Sequence, residues 1–203
     1  MQARADRAGT PALLSADRLA SLSDTMFGVA MTLVATTLVP AIQAHRGSVL
    51  DMLPAMQGEL ITVVLSFAIS GRYWISQQHR LAMTAEVTPR QTLLHLVFLF
   101  LVILVPITTS LPGLGGAGAV RDSVLIYGGH LALIALLNLL LWVEVHRNAA
   151  AHQQVLRSGL AFVVFVVALP VGDVWPDLTL YIWLTALAAP ALSRVLARRW
   201  GAA

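Results

Sequence analysis

The sequence has no cysteine and no lysine, and only 11% of its 203 residues are charged. Without cysteine, disulfides, thiolate metal sites and cysteine nucleophiles are excluded. Soluble domains average about a quarter charged residues, so the low charge indicates an integral membrane protein. The formal net charge of +3 rests on arginines, whose positions are more informative than their sum. It does not indicate nucleic-acid binding.

Apolar residues make up 58% of the chain, with a mean hydropathy of +0.78. A helix that crosses a bilayer core of ~30 Å needs about 20 residues. Six segments are predicted to be transmembrane helices: 18–39, 54–78, 91–111, 123–145, 158–171 and 178–197. The prediction is an all-α membrane domain over 18–197, with cytoplasmic segments 1–17 and 198–203 at the ends.

Several local signals refine these segments. Ser15 or Asp17 suits the N-cap of the first helix, and Pro54 suits the first turn of the second. Segment 158–171 is the shortest of the six. Pro106, Pro170 and Pro190 fall inside predicted helices, where they are expected to kink the helix without ending it.

The arginines predict the orientation in the membrane. With six spans, both termini lie on one side, and that side has eleven arginines against two, Arg46 and Arg121, on the other. The eleven are Arg4, Arg7, Arg18, Arg72, Arg80, Arg90, Arg147, Arg157, Arg194, Arg198 and Arg199. Because cytoplasmic loops are enriched in arginine, both termini are expected to be cytoplasmic, in a multi-pass protein of the cell membrane.

A polar stripe runs along the first predicted helix. Its members, at steps of three or four residues, are Ser21, Thr25, Gly28, Thr32 and Thr36. Such spacing places them on one helix face, which lipid cannot satisfy. One interpretation is that copies of this helix surround an ion pore. The other is close helix packing, for which small residues four apart are typical.

Beside the stripe, Val29, Leu33 and Thr36 form an adjoining face of the helix. In an oligomer, rings of such side chains would form a constriction able to gate by dewetting.

Asp24 lies inside the cytoplasmic end of this helix, where an unpaired carboxylate costs ~2.5–3.5 kcal/mol or more. It either helps to shape a pore entrance or belongs to a polar network that joins the first two helices. Candidate partners are Arg18, Arg72 and His79.

The remaining polar residues do not suggest catalysis. His95 and His130 are expected to be hydrogen-bonded core residues, and Asn138 to bond between helices. No H-x-x-x-H pair indicates a metal site, and no nucleophile–base spacing indicates an enzyme. We therefore expect neither a catalytic residue nor a cofactor.

The first helix carries a recognisable motif. It reads Arg18, three residues, then Leu22-Ser23-Asp24, and closes on Val39-Pro40. This resembles the Arg-x-x-x-Phe-Ser-Asp signature of the transmembrane protein 175 family, the endolysosomal potassium channels and their prokaryotic relatives. Leu22 replaces the phenylalanine and keeps its apolar character.

Later segments resemble the family less closely. Trp74 matches, whereas Gln77 and Gln78 stand where the family pattern has histidines, with His79 following. The third segment is similar in its exit and retains a proline, Pro106.

The resemblance implies a homotetramer of six-helix subunits in which the first helix lines a central pore and no pore-loop filter is used. The family's apolar constriction maps to Val29, with further layers at Leu33 and Thr36 and a hydroxyl ring at Thr32. The residues assigned to a cytoplasmic polar network are Arg18, Ser23, Asp24, Trp74 and His79.

The predicted function is a passive, potassium-preferring cation channel of modest selectivity, because Val29 is smaller than the family's bulky residue and Thr36 is polar. Its partners would be potassium and other monovalent cations, the lipid bilayer and further copies of the chain. The alternative is a secondary active transporter of a small solute or cation, whose helices would be broken near the midplane.

Overall fold

The computed structural model describes residues 15–84, 87–111, 117–145 and 149–187. This part of the chain is all α-helical, with eight helices. They are α1 (Ala16–Thr36), α2 (Val39–Ala44), α3 (Val49–Ala55), α4 (Gln57–Ala82), α5 (Pro89–Thr109), α6 (Ala117–Glu144), α7 (Ala149–Val174) and α8 (Pro176–Leu187).

Four stretches among the described residues are long and apolar enough to cross a membrane: Ala16–Ala44, Pro89–Thr109, Val120–Glu144 and Ala151–Val174. Helices α3 and α4, bent by 66° at a short break, give a fifth if they form one span. Helix α8 begins the predicted sixth span, whose remaining residues, with Pro190, lie outside the described ranges. The all-α membrane architecture predicted from the sequence is confirmed.

The predicted place of Pro54 in the first turn of the second span was wrong. Pro54 lies inside α3 and not in the first turn of α4, which begins at Gln57. The cause is a separate helix start upstream, where the Ser48 side chain accepts a hydrogen bond from the Asp51 amide. Proline then removes one backbone donor, and the helix ends at the next residue, Ala55, with Met56 as its C-cap.

The fifth predicted span was also too short, since α7 covers Ala149–Val174. Hydropathy locates only the apolar middle of a helix, whereas polar residues at its start remain helical. Pro106 and Pro170 lie within continuous helices, as expected. Ser15 occupies the N-cap of α1, although its side chain makes no capping bond.

Helix α1 packs against α4 and α5, while α6 lies along α7, which also contacts α8. The contact among α1, α4 and α5 is formed by three aromatic side chains, Phe27, Tyr73 and Phe98. The Phe98 ring centroid lies 6.1 Å from each of the other two. Lipid is as apolar as these side chains, so close van der Waals packing and hydrogen bonds hold the helices together.

Gly128 allows α6 and α8 to approach closely. A Cβ atom there would lie 2.7 Å from Cζ2 of Trp183 and 3.1 Å from Cδ2 of Leu169. Trp183 is fully buried and packs edge-on against Tyr127, with ring centroids 5.0 Å apart, so it has little room to move.

We therefore expect Gly128→Ala to lower the thermal unfolding midpoint in detergent, at a cost of about 1–3 kcal/mol from overpacking. The neighbouring Gly129 is a matched control, because a Cβ there meets nothing within 4 Å. An equal midpoint for Gly128→Ala and Gly129→Ala would contradict this packing.

Candidate functional site

Helix α1 has two distinct faces. One is buried against the bundle, and its residues are Ala16, Leu19, Ser23, Phe27, Ala30 and Val34. The other is exposed along the whole helix and includes the predicted stripe and constriction: Ser21, Asp24, Thr25, Gly28, Val29, Thr32, Leu33 and Thr36. Val29 is 51% exposed and Leu33 44% exposed, so about half of each apolar side chain is left uncovered by the described helices.

The hydroxyl groups on the exposed face are oriented by the helix itself. Thr32 donates to the Gly28 carbonyl at 2.7 Å and Thr36 to the Leu33 carbonyl at 2.7 Å, while Thr25 donates to the Ser21 carbonyl at 3.1 Å. Because each hydroxyl proton is already used, the oxygen lone pairs remain to accept. The face therefore presents hydrogen-bond acceptors, which favour cations over anions.

Asp24 lies at the cytoplasmic end predicted for this face and is held by α4. Its Oδ1 accepts from Nε1 of Trp74 at 2.7 Å and from Nε2 of Gln78. Both donors are uncharged. They form a polar contact between the first and second spans.

The predicted polar network is divided in the structure. Asp24 and Trp74 contact each other, whereas Ser23 lies on the opposite, buried face of α1. Arg18 and His79 are both exposed, and within the described part of the chain neither side chain has a hydrogen bond or ion pair. Uncharged donors of α4 occupy the place next to Asp24 that the sequence suggested for basic partners.

Ser23 begins a buried chain of hydrogen bonds through α5 to α4. Its hydroxyl donates to the Leu19 carbonyl at 2.8 Å and lies 2.7 Å from Nε2 of His95. On the other side of the ring, Nδ1 lies 2.5 Å from Nη2 of Arg80. Ser23 and His95 are fully buried and Arg80 is 1% exposed.

The chain continues from Arg80 across α4 to α6 and α7. Arg80 donates to Oε1 of Gln77, and Nε2 of Gln77 donates to Oδ1 of Asn138 at 3.3 Å. Nδ2 of Asn138 then donates to the Ser158 hydroxyl at 2.9 Å. Six side chains on five helices are connected in this way.

Sequence reasoning anticipated only parts of this arrangement. His95 is a hydrogen-bonded core residue and Asn138 bonds between helices, as predicted. Arg80, however, lies beyond the predicted end of the second span at 78, whereas in the structure α4 continues to Ala82 and buries this side chain. The available signal was the spacing of Ser66, Ser70, Gln77 and Arg80, which repeats along one face of a helix.

A second polar cluster, nearer the start of α4, joins three of these helices. Ser66 lies 2.9 Å from the Thr109 hydroxyl and 2.7 Å from the Tyr127 hydroxyl, which joins α4, α5 and α6. His130 of α6 donates from Nε2 to the Leu101 carbonyl of α5 at 2.9 Å. Across the described residues, no group of three histidine or acidic side chains could hold a metal ion.

Comparisons with known proteins agree with this architecture. Residues 18–106, which include nearly all of α1, all of α2 to α4 and most of α5, match the family described as "Endosomal/lysosomal potassium channel TMEM175". The crystal structure of a lysosomal potassium-selective channel TMEM175 homologue from Chamaesiphon minutus is similar in fold, with a TM-score of 0.74 and 18% sequence identity. The alignment covers 88% of this chain and 97% of that one. No curated protein gives a significant match.

The family match includes the first helix with its Arg18 and Leu22-Ser23-Asp24 motif, and the structural match extends over nearly all of the chain. The resemblance noted in the sequence is therefore confirmed: residues 18–106 match the TMEM175 family, and the fold is similar to that of a TMEM175 homologue.

Proposed function

We propose that the chain is the subunit of a homotetrameric, passive, potassium-preferring cation channel in which four copies of α1 line the pore. The observation that supports this proposal is the exposed face of α1, which carries the polar stripe and is not covered by the described helices of the subunit. Lipid cannot hydrogen-bond to such a face, so it requires water, ions or other copies of the chain. A ring of four α1 helices supplies both a protein boundary and an aqueous centre.

The narrowest part of the pore is assigned to Val29 and Leu33, the large apolar side chains on the exposed face of α1. At this level the pore is apolar, so ions pass only when water remains with them or when oxygen atoms replace it. The Thr32 oxygen, whose proton is donated to Gly28, supplies such an acceptor between the two apolar layers. Thr36 provides a further oxygen toward the other end of α1.

Asp24 offsets an unfavourable potential at the cytoplasmic entrance. Because α1 begins on that side, the positive end of its dipole faces entering cations. The Asp24 carboxylate is held by Trp74 and Gln78 through one oxygen, so its charge stays close to the entrance. The proposed topology has cytoplasmic segments 1–17 and 198–203 and a six-helix domain over 18–197 in the cell membrane.

The transporter alternative lacks a supporting feature in the described helices. Secondary transporters have helices broken near the midplane. Here the one bent pair breaks at Met56, between the seven residues of α3 and the 26 residues of α4, which is close to one end of the span. Coupled, saturable uptake in liposomes would support the transporter instead.

The direct test of the channel is Leu33→Arg. A guanidinium in each subunit at the narrow level repels cations and fills the pore, so we expect potassium flux into liposomes to be abolished. The variant must remain a tetramer by size-exclusion chromatography and light scattering. Flux at the wild-type rate through an assembled Leu33→Arg protein would show that α1 does not line the pore.

The width of the constriction predicts the effect of Val29→Ile. One extra methyl group in each subunit narrows the pore, so we expect the potassium/sodium permeability ratio to rise and conductance to fall. Val163→Ile on α7 is a matched control, because Val163 is 53% exposed and α7 is not one of the two helices, α4 and α5, against which α1 packs. Equal ratios for Val29→Ile and wild type in planar bilayers would contradict the assigned constriction.

Asp24 offers a pair of variants that separate charge from structure. Asp24→Asn keeps an oxygen for Trp74 and Gln78 but removes the charge. We expect it to assemble while cation flux falls, by about fivefold if the ion passes ~4 Å away. Asp24→Leu also leaves both donors unpaired, so its thermal midpoint should fall further. Wild-type flux in Asp24→Asn would show that the charge has no role in permeation.

A further inference from the structure

The buried Arg80 guanidinium has two hydrogen-bonding partners, His95 and Gln77, and both are uncharged acceptors. Glu144, a nearby carboxylate, is bound by Arg90 at 2.9 Å. An arginine side chain donates hydrogen bonds and never accepts them. Arg80 is therefore the donor in each of its hydrogen bonds. This fixes which atom of each partner accepts, and so which atom of that partner donates to the next residue in the hydrogen-bond chain.

On the side of α1, the direction can be followed atom by atom. Because Arg80 donates to Nδ1 of His95, that nitrogen carries no proton and the ring proton is on Nε2. Nε2 then donates to the Ser23 hydroxyl oxygen, and the Ser23 proton goes to the Leu19 carbonyl, which can only accept. Each of these groups has one possible role.

The same logic applies toward α7. Gln77 must present its oxygen to Arg80, so its NH₂ group faces Asn138 and its amide orientation is set. Asn138 accepts with its oxygen and donates from Nδ2 to Ser158. Ser76, which accepts from Trp142 at 2.8 Å, donates to the same Asn138 oxygen at 3.1 Å and is consistent with that orientation.

We propose that Arg80 sets the direction of one buried hydrogen-bond chain that runs from α7 to α1. In this proposal, Gln77, Asn138 and Ser158 are positioning residues for the exposed face of α1. None of these three residues touches that face. They act through Arg80 and His95 on Ser23, which lies on the opposite side of α1 from Val29 and Thr32. The part of the inference that concerns permeation rests on the proposed channel function.

Helix geometry explains how Ser23 can control which residues of α1 face the pore. Successive residues of an α-helix are ~100° apart, so a rotation of α1 by one position would replace the residues at the narrow level. Ser23 is six residues from Val29, about 9 Å along the axis, and its bond to His95 lies next to the Phe27–Phe98 contact. Together, this hydrogen bond and the packing of the two rings fix the rotation of α1 about its own axis.

The test compares full-length, purified variants for potassium/sodium permeability ratio in planar bilayers, using only protein that elutes as the assembled oligomer. Asn138→Leu breaks the chain far from α1, and His95→Leu breaks it next to α1. We expect each to shift the ratio by about twofold or more. His95→Gln should restore it, because its Oε1 can accept from Arg80 while its Nε2 donates to Ser23.

Two buried serines provide a matched control. Ser158 is 4% exposed and bonded to Asn138, whereas Ser70 is 2% exposed and its hydroxyl has no partner among the described residues. We expect Ser158→Ala to shift the ratio in the same direction as Asn138→Leu, and Ser70→Ala to leave it unchanged. A wild-type ratio in assembled Asn138→Leu and Ser158→Ala, whatever their thermal midpoints, would overturn the positioning role.

A measurement without ion flux separates this inference from the channel proposal. Solid-state NMR of protein with ¹⁵N-labelled histidine, with His95→Gln used to assign the signals, reports which ring nitrogen carries the proton. We expect a neutral His95 ring with the proton on Nε2. A proton on Nδ1 would overturn the direction of the chain even in a conducting protein. A wild-type protein that conducts no cation would instead remove the proposed function and leave this assignment standing.

Discussion

A positive charge buried among membrane helices must find acceptors inside the protein, and much of the bundle is arranged around this requirement at Arg80. The side chain is 1% exposed, and α5 supplies one acceptor while α4 itself supplies the other. Each acceptor then needs a partner of its own, which brings α1 on one side and α6 and α7 on the other into the same set of bonds. Since lipid gives little drive for apolar helices to associate, such directional bonds contribute specificity that packing alone lacks.

Helix α1 illustrates how one span can serve two environments. Its buried face combines Phe27, Ala30 and Val34 with a single hydroxyl at Ser23, so it packs closely and is also tied by a hydrogen bond. Its exposed face is mostly small and polar, with large apolar side chains at two levels, Val29 and Leu33. The proposed place of α1 around a pore accounts for this division, because the exposed face is unsuited to lipid.

The predictable part of the structure follows from local chemistry. Runs of apolar residues located the spans, and the spacing of Thr25, Gly28 and Thr32 placed them on one face of α1. Helix ends were less predictable: Ser48 starts α3 ahead of Pro54, and α7 continues through polar residues before Ser158. The partners of Asp24 were not predictable, because an exposed carboxylate can be satisfied equally by arginine, histidine, tryptophan or glutamine, and only the placement of α4 selects among them.

The sequence by itself determined that this is an all-α membrane protein, which residues share the exposed face of α1, and which family the chain resembles. These features depend on composition, helical period and a short motif, which are properties of neighbouring residues. The tertiary structure alone decided that Arg80 lies inside the bundle and that Ser23 is connected to Ser158 through four other side chains. Those contacts join residues far apart in the chain, and their geometry depends on how the helices rotate and pack, which local sequence patterns do not specify.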